Sequence, residues 1–329
     1  MIKGRVTAIV ASYNHAEYLK ERMDSLVNQT WKDLEILVID DCSTDNSLEV
    51  LRPYTKYPQV KLIENQKNSG WVKVSNQGIE MATGEFIVFA NCDDYCKEDQ
   101  IEKLVAPFAV HKNLCAVFSR NTMVDEKSQD IGDDFEGREK SFKEICSKDT
   151  LISGLQMSKF LFHSCVIPNL SQVLIKTSAL KEVHGLSLDY KACSDWDIFF
   201  KLAEKYDFYY LTEELNFFRQ HKTTIRKTTK DKITYDEFYR LLSYHIKRLP
   251  LSFFENIKYT FKITLIWAQH LSSLSPSSFI NFGYHLKTNL GYYPLMVVLL
   301  PFACVYEFFY KIYRIGRRFY KSSRPQGTV

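Results

Sequence analysis

Two adjacent carboxylates, Asp93 and Asp94, follow the run Gly84-Glu85-Phe86-Ile87-Val88-Phe89-Ala90 after only Asn91 and Cys92. Paired acids at the C-terminal edge of a buried strand sit where open α/β sheets bind ligands. Carboxylates there can hold a hard divalent cation, and the cation can hold a diphosphate. The same pair also suits a turn followed by a helix N-cap, so the assignment needs support elsewhere in the chain.

The elements that would position such a site recur in a fixed order. Val6 to Ala11 is an apolar strand pattern that breaks at Ser12-Tyr13-Asn14, followed by helical spacing through Tyr18, Leu19, Met23, Leu26 and Val27. Leu34 to Ile39 is a second strand pattern, ending in Asp40-Asp41-Cys42-Ser43-Thr44-Asp45-Asn46-Ser47, a Ser/Thr/Asp/Asn-rich helix start. A third strand, Val60 to Ile63, leads to Asn68-Ser69-Gly70, and a helix from Val74 to Met81 returns the chain to the acidic strand end. Strands alternating with helices at this spacing predict a parallel, doubly wound sheet.

Together these segments resemble the N-terminal half of family 2 glycosyltransferases of the GT-A fold. Ser12-Tyr13-Asn14 matches the end of that family's opening strand, Asp40 to Ser47 its acidic and hydroxyl-rich segment, Asn68-Ser69-Gly70 its next turn, and Gly84 to Asp94 its metal-site strand. Further on, Ser194-Asp195-Trp196-Asp197 resembles the segment bearing the catalytic base, and Phe218-Arg219-Gln220-His221 the motif after it. The likeness covers roughly residues 1 to 225. It implies a Rossmann-like, mostly parallel sheet flanked by helices, and inverting transfer from a nucleotide diphosphate sugar, with a uridine donor expected.

The resemblance also implies roles. Ser12, Tyr13 and Asn14 would line the nucleotide pocket, Tyr13 against the base, with Asp41 accepting a hydrogen bond from it. Gly70, Lys73 and Asn76 would serve the donor, Asn91 its ribose. Asp93 would ligate Mg2+ or Mn2+, supported by Asp94, and Asp195 would deprotonate the acceptor hydroxyl. His221 either closes the metal site or is a satisfied surface histidine, and the sequence leaves both open. Three positions depart from the family pattern: Asn91 replaces an Asp, Ser75 an Arg for which Lys73 is a candidate substitute, and Ser194 a Glu.

With 329 residues and 45% apolar content, the chain can form one large domain plus an appendage. Its net charge of +4 hides an asymmetry. Residues 1–225 carry 27 Lys/Arg against 34 Asp/Glu, whereas 226–329 carry 16 against 5. We therefore expect a catalytic domain over 1–225, with nucleotide-sugar binding in about 1–95 and the acceptor side in 96–225, and a basic, aromatic-rich helical tail over 226–329. Residues 222–235 read as a linker, 236–270 as helical, and 272–278 as a Ser/Pro break. No charge occurs from Thr288 to Tyr306, and six basic residues with no acid follow Glu307. That composition suits an anionic membrane surface, as a span or an interfacial segment, and no nucleic-acid recognition module is visible.

Eight cysteines without metal-finger spacing, and an N-terminus running straight into a core strand, lead to the expectation of a cytoplasmic protein at the inner membrane face. Asp133-Asp134, isolated in a polar run, is expected to be solvent-exposed. The partners expected are a nucleotide-sugar donor and a saccharide or lipid-linked saccharide acceptor, with a homo-oligomer left open. Two rivals remain: a GT-A nucleotidyltransferase, which lacks its glycine-rich basic loop at Ser12 to Ala16, and a catalytically weak donor-binding scaffold, for which Asn91 and Ser194 speak.

Overall fold

The computed structural model describes residues 1–221, 231–272 and 294–322. The chain divides into two compact units, Met1–Thr228 and Thr229–Val329.

The first unit is built on one ten-stranded sheet. Its strands are β1 Ile2–Ser12, β2 Leu34–Asp40, β3 Val60–Glu64, β4 Gly84–Phe89, β5 Tyr95–Cys96, β6 Leu114–Val124, β7 Asp130–Asp133, β8 Thr150–Ile152, β9 Val173–Lys176 and β10 Asp207–Arg219. They run in the order β3-β2-β1-β4-β9-β6-β10-β5, with β7 on β6 and β8 on β10. β3, β2, β1 and β4 are parallel, as the strand–helix alternation predicts. Past β4 the sheet becomes mixed, because β9 pairs antiparallel with both β4 and β6 while β6 and β10 run parallel.

A parallel strand with helices on both faces must be apolar on both, and Val6, Ala8, Ile9 and Val10 of β1 are all buried. The helix Ala16–Val27 turns Leu19, Met23 and Leu26 into the same core as Ile36, Val38 and Val88. Each such side chain contributes about 1.5–3 kcal/mol by leaving water. On the other face the helix Trp71–Met81 lies so close to β1 that a Cβ at Gly78 would come within 2.5 Å of Ile9 Cγ2. Any larger residue there would have to displace the Ile9 side chain or the helix.

Residues 125–150 are more ordered than their composition suggests. β7 folds back on β6, and Asp134 is buried against Arg138 (2.5 Å) and the Asn121 amide (2.6 Å). The expectation of an exposed acid is wrong at Asp134, because the hairpin brings a guanidinium and an amide to its carboxylate.

In the second unit the 231–245 segment is helical (Asp231–His245), so the linker reading does not hold for 231–235; 222–230 lie outside the described residues. The pattern over 236–270 falls into two helices separated near Pro250, the second being Phe253–Ser272. That helix starts with a reciprocal cap. Glu255 N–H donates to Ser252 Oγ at 3.3 Å, while Ser252 N–H donates to Glu255 Oε2 at 3.0 Å. A third helix, Pro294–Ser322, contains Pro301. It buries Met296, Ala303 and Glu307 and leaves Val298, Phe302, Phe308 and Phe309 more than half exposed. Among the described residues no helix is long and apolar enough to cross a membrane. The expected break at 273–278, and 288–293 of the uncharged stretch, lie outside the described residues.

Candidate active site

Three chain segments meet at the C-terminal end of the parallel strands: the turn after β1, the turn after β4 and the end of β10. They bring His15, Asp93 and His221 together, each offering a donor atom within 4.8 Å of the others. His221 Nε2 lies 2.9 Å from Asp93 Oδ2, and its ring packs on Tyr18 at 5.3 Å and His15 at 5.7 Å between centroids. Burial works to raise the Asp93 pKa, but the His221 hydrogen bond and the electrostatic influence of His15 and His221 outweigh it and hold the carboxyl below its ordinary value. Asp93 is thus kept ionised and faces two imidazoles. His221, left open between ligand and surface histidine, is 3% exposed and belongs to this cluster.

Asp94 faces the other way. Expected to support a metal, it is instead 1% exposed and accepts four hydrogen bonds, from Ser171 Oγ (2.6 Å), Asn169 Nδ2 (2.7 Å), Arg219 N–H (3.0 Å) and Asn91 Nδ2 (3.4 Å). Burial and the neighbouring Asp93 charge push its pKa up to about 6. The same network claims Asn91, expected at the ribose, whose amide also donates to Asn169 Oδ1 at 3.0 Å. Arg219, 1% exposed, locks this layer to the rim above it. Its Nε donates to the Asp93 carbonyl at 2.7 Å, and its two Nη atoms donate to the carbonyls of Asp125 and Glu126, to Ser128 and to Glu21.

The nucleotide-side candidates are similarly occupied. Asp41 is buried and accepts from Ser69 N–H and Gly70 N–H (both 2.8 Å), Ser69 Oγ (2.9 Å) and Asn65 Nδ2 (3.0 Å). Burial raises its pKa, and these donors more than reverse that, leaving it lowered. Its expected hydrogen bond to a base must therefore compete with four internal ones. Gly70, at φ +90°, supplies the left-handed turn that starts the next helix. Asn14, also left-handed at φ 54°, accepts from Thr44 N–H at 2.8 Å and so ties the β1 turn to the acidic segment after β2. Ser12 Oγ is buried without a hydrogen-bond partner among the described residues, and Tyr13 is 40% exposed. Of the two, only the Tyr13 ring is open to a ligand.

Two of the expected donor contacts do not lie in this group. Asn76 uses both ends of its amide on Leu186, accepting from its N–H at 2.9 Å and donating to its carbonyl at 2.8 Å, so it clasps a loop. Lys73 is exposed on the helix Trp71–Met81. Asp195 stands half-buried in the first turn of the helix Ser194–Ala203, outside the histidine cluster, and its Oδ1 accepts from Trp196 N–H at 2.8 Å. Ser194, the departure before it, donates to the Ser187 carbonyl at 2.8 Å and holds the helix start in place.

His15 escaped the sequence reading, although it directly follows Ser12-Tyr13-Asn14 at a strand end, which is itself a signal. Asn169 and Ser171 carried no local signal at all. Two imidazoles and an ionised carboxylate form a donor set suited to a divalent metal. Asp93 Oδ2 and His221 Nε2, hydrogen-bonded at 2.9 Å, are close enough for one ion to take both.

Residues 7–164 match the family model for glycosyl transferase family 2. The glycosyltransferase GlyG of Streptococcus pneumoniae is 28% identical over 235 residues, 69% of this chain and 74% of that one. An uncharacterized Escherichia coli glycosyltransferase, YibD, is 39% identical over 103 residues, 31% of this chain and 30% of its own length. E. coli chondroitin synthase is 26% identical over 200 residues, 60% of this chain but only 26% of that protein. For YibD and chondroitin synthase the matched stretch is thus less than a third of the relative. Among solved structures, Staphylococcus aureus TarS in complex with UDP aligns with a TM-score of 0.60 at 19% identity, covering 84% of this chain and 78% of that one. The mannosyltransferase PcManGT of Pyrobaculum calidifontis, in complex with GDP-Man and Mn2+, aligns at 0.52 and 18%, covering 93% and 87%. The fold is GT-A, and residues 7–164, just under half of the chain, match glycosyl transferase family 2, which supports a glycosyltransferase activity.

Proposed function

We propose that this enzyme moves a sugar from a uridine diphosphate donor to a saccharide hydroxyl, with inversion, during assembly of a surface polysaccharide or glycolipid. The observation that carries the reading is the cluster of His15, Asp93 and His221 at the ends of β1, β4 and β10. It gives a place to neutralise a diphosphate beside a turn, Ser12 to Asn14, that leaves the Tyr13 ring exposed. The TarS complexes with UDP and UDP-GlcNAc favour uridine over the guanosine of PcManGT. The names of chondroitin synthase and of the Bacillus subtilis teichuronic acid biosynthesis relative favour a polysaccharide acceptor.

Asp93 and His221 would hold the divalent metal, which when bound supplies positive charge to the departing nucleotide diphosphate. Asp195 takes the proton from the acceptor hydroxyl. The oxygen bonds to the anomeric carbon as the bond to the diphosphate breaks on the opposite face, which inverts the centre. Asp41 keeps the Ser69-Gly70 turn shaped beneath the nucleotide. Incubation of the protein with UDP- and GDP-sugars, Mn2+ and oligosaccharide acceptors tests this through nucleotide release and the anomeric configuration of the product. Retention of configuration, or release only from GDP-sugars, would overturn the corresponding part.

The basic tail is proposed to dock on an anionic membrane at the cytoplasmic side. Support comes from the exposed Phe302, Phe308 and Phe309 and from the excess of basic residues over 226–329. Each basic residue near such a surface contributes about 1 kcal/mol. Sedimentation with vesicles containing phosphatidylserine should carry the full chain down, and salt should release it only partly; absence from the pellet at low salt ends this proposal.

A further inference from the structure

We infer that His15 is a third protein ligand of the cation, making a two-imidazole, one-carboxylate site that prefers transition-metal ions to Mg2+. The inference deepens the metal reading of the proposed function and rests on it for the cation itself.

Two independent features of His15 carry it. The first is placement: His15, Asp93 and His221 converge within 4.8 Å although the chain separates them widely. The second is tautomer. His15 Nδ1 lies 2.7 Å from the Tyr13 carbonyl, and a carbonyl can only accept. Nδ1 must therefore carry the proton, which leaves the lone pair of the neutral ring on Nε2. Metal-ligating histidines are commonly prepared in this way, with the other ring nitrogen donating to a carbonyl that fixes the ring. The backbone supports the same pose, since His15 N–H donates to Ser47 Oγ at 3.3 Å and the residue occupies the N-cap of the helix Ala16–Val27.

A donor set of two nitrogens and one oxygen changes which ion is held. Mg2+ favours oxygen ligands and retains its waters, whereas imidazole binds late first-row ions more strongly, with Co2+ above Mn2+.

The test uses the full-length protein with Mn2+, Co2+ and Mg2+ alone, without donor. His15→Asn is the first variant, because Asn is a good N-cap and preserves the start of the helix. His15→Ala is the second, and circular dichroism confirms that both are folded. We expect the parent to bind Co2+ more tightly than Mn2+, and both far more tightly than Mg2+. Either variant should lose at least the roughly ten- to a hundred-fold in Co2+ affinity that substituting even an outer-shell partner costs, with a smaller loss for Mn2+ and little change for Mg2+. Pulsed EPR on the Mn2+ complex should count two coupled imidazole nitrogens in the parent and one in the variants. A parent with a single imidazole coupling, and folded variants that keep it together with the parent's Co2+ affinity, would remove His15 from the site while leaving Asp93 and His221 in it. A parent that binds none of the three ions would overturn both the His15 assignment and the metal reading beneath it.

Discussion

The rim of the site and the layer beneath it use the same residue types at the ends of the same strands, yet they behave oppositely. On the rim, Asp93 keeps a side chain 21% exposed and meets an imidazole. One residue later, Asp94 is enclosed and meets four hydrogen-bond donors, and Asp41 under the Ser69-Gly70 turn also has four. The rim carboxylate is held ionised, while its neighbour is pushed towards the neutral acid. An acid at the end of a strand therefore acquires chemistry from the lone pairs its neighbours leave open.

The largest effect should appear at Asp195, which sets the scale for chemistry. Asp195→Asn is expected to lower kcat by roughly 10²–10⁴ while donor affinity, followed by calorimetry, stays within a few-fold. An unfolded variant, or one that cannot bind donor, would place Asp195 with the structural acids. Next comes the rim. Asp93→Asn should cost about 10²–10³ in transfer, the range for removing one preorganised electrostatic group, with a melting temperature close to the parent's.

Asp94→Ala should show the reverse pattern. It leaves three buried donors, Ser171 Oγ, Asn169 Nδ2 and Arg219 N–H, without that acceptor, so urea unfolding should reveal a loss of about 3 kcal/mol or more. Asp94→Asn should lose less, because one amide oxygen still accepts. If Asp94→Ala were as stable as the parent yet inactive, the division between rim and layer would fail.

The smallest effect should be at Asp41 and only in acid. Its folded-state pKa is lowered, so its contribution to stability is present above the unfolded value, near 4, and disappears as pH falls through the folded one. Asp41→Asn should therefore flatten the acid side of the stability curve. Parent and variant that lose stability in parallel below pH 4 would show that the Asp41 hydrogen bonds contribute little.

Much of this protein was legible from local pattern. Apolar runs at Val6 to Ala11, Leu34 to Ile39 and Gly84 to Phe89 became β1, β2 and β4, because a strand buried on both faces has to be continuously apolar. The acidic segment Asp40 to Ser47 was recognisable too, though not its internal roles. Asp40 accepts from Ser43, and Asp45 accepts from Ala16 N–H at 3.1 Å, so both acids build the junction between β1, β2 and the first helix.

Periodicity in the sequence by itself determined the alternation of strand and helix, the order of the parallel strands' motifs and the presence of acids at their ends, since each depends on neighbours a few residues away. Only the tertiary structure decided which of those acids stays open. Asn169 and Ser171 reach Asp94 across 75 and 77 residues, and the Arg219 N–H reaches it across 125. His221 reaches Asp93 across 128 residues, and His15 joins them from another strand end. A carboxylate's free lone pairs are what remains after every neighbour has taken its share, and those neighbours are assembled by the fold of the sheet rather than by adjacency in the chain.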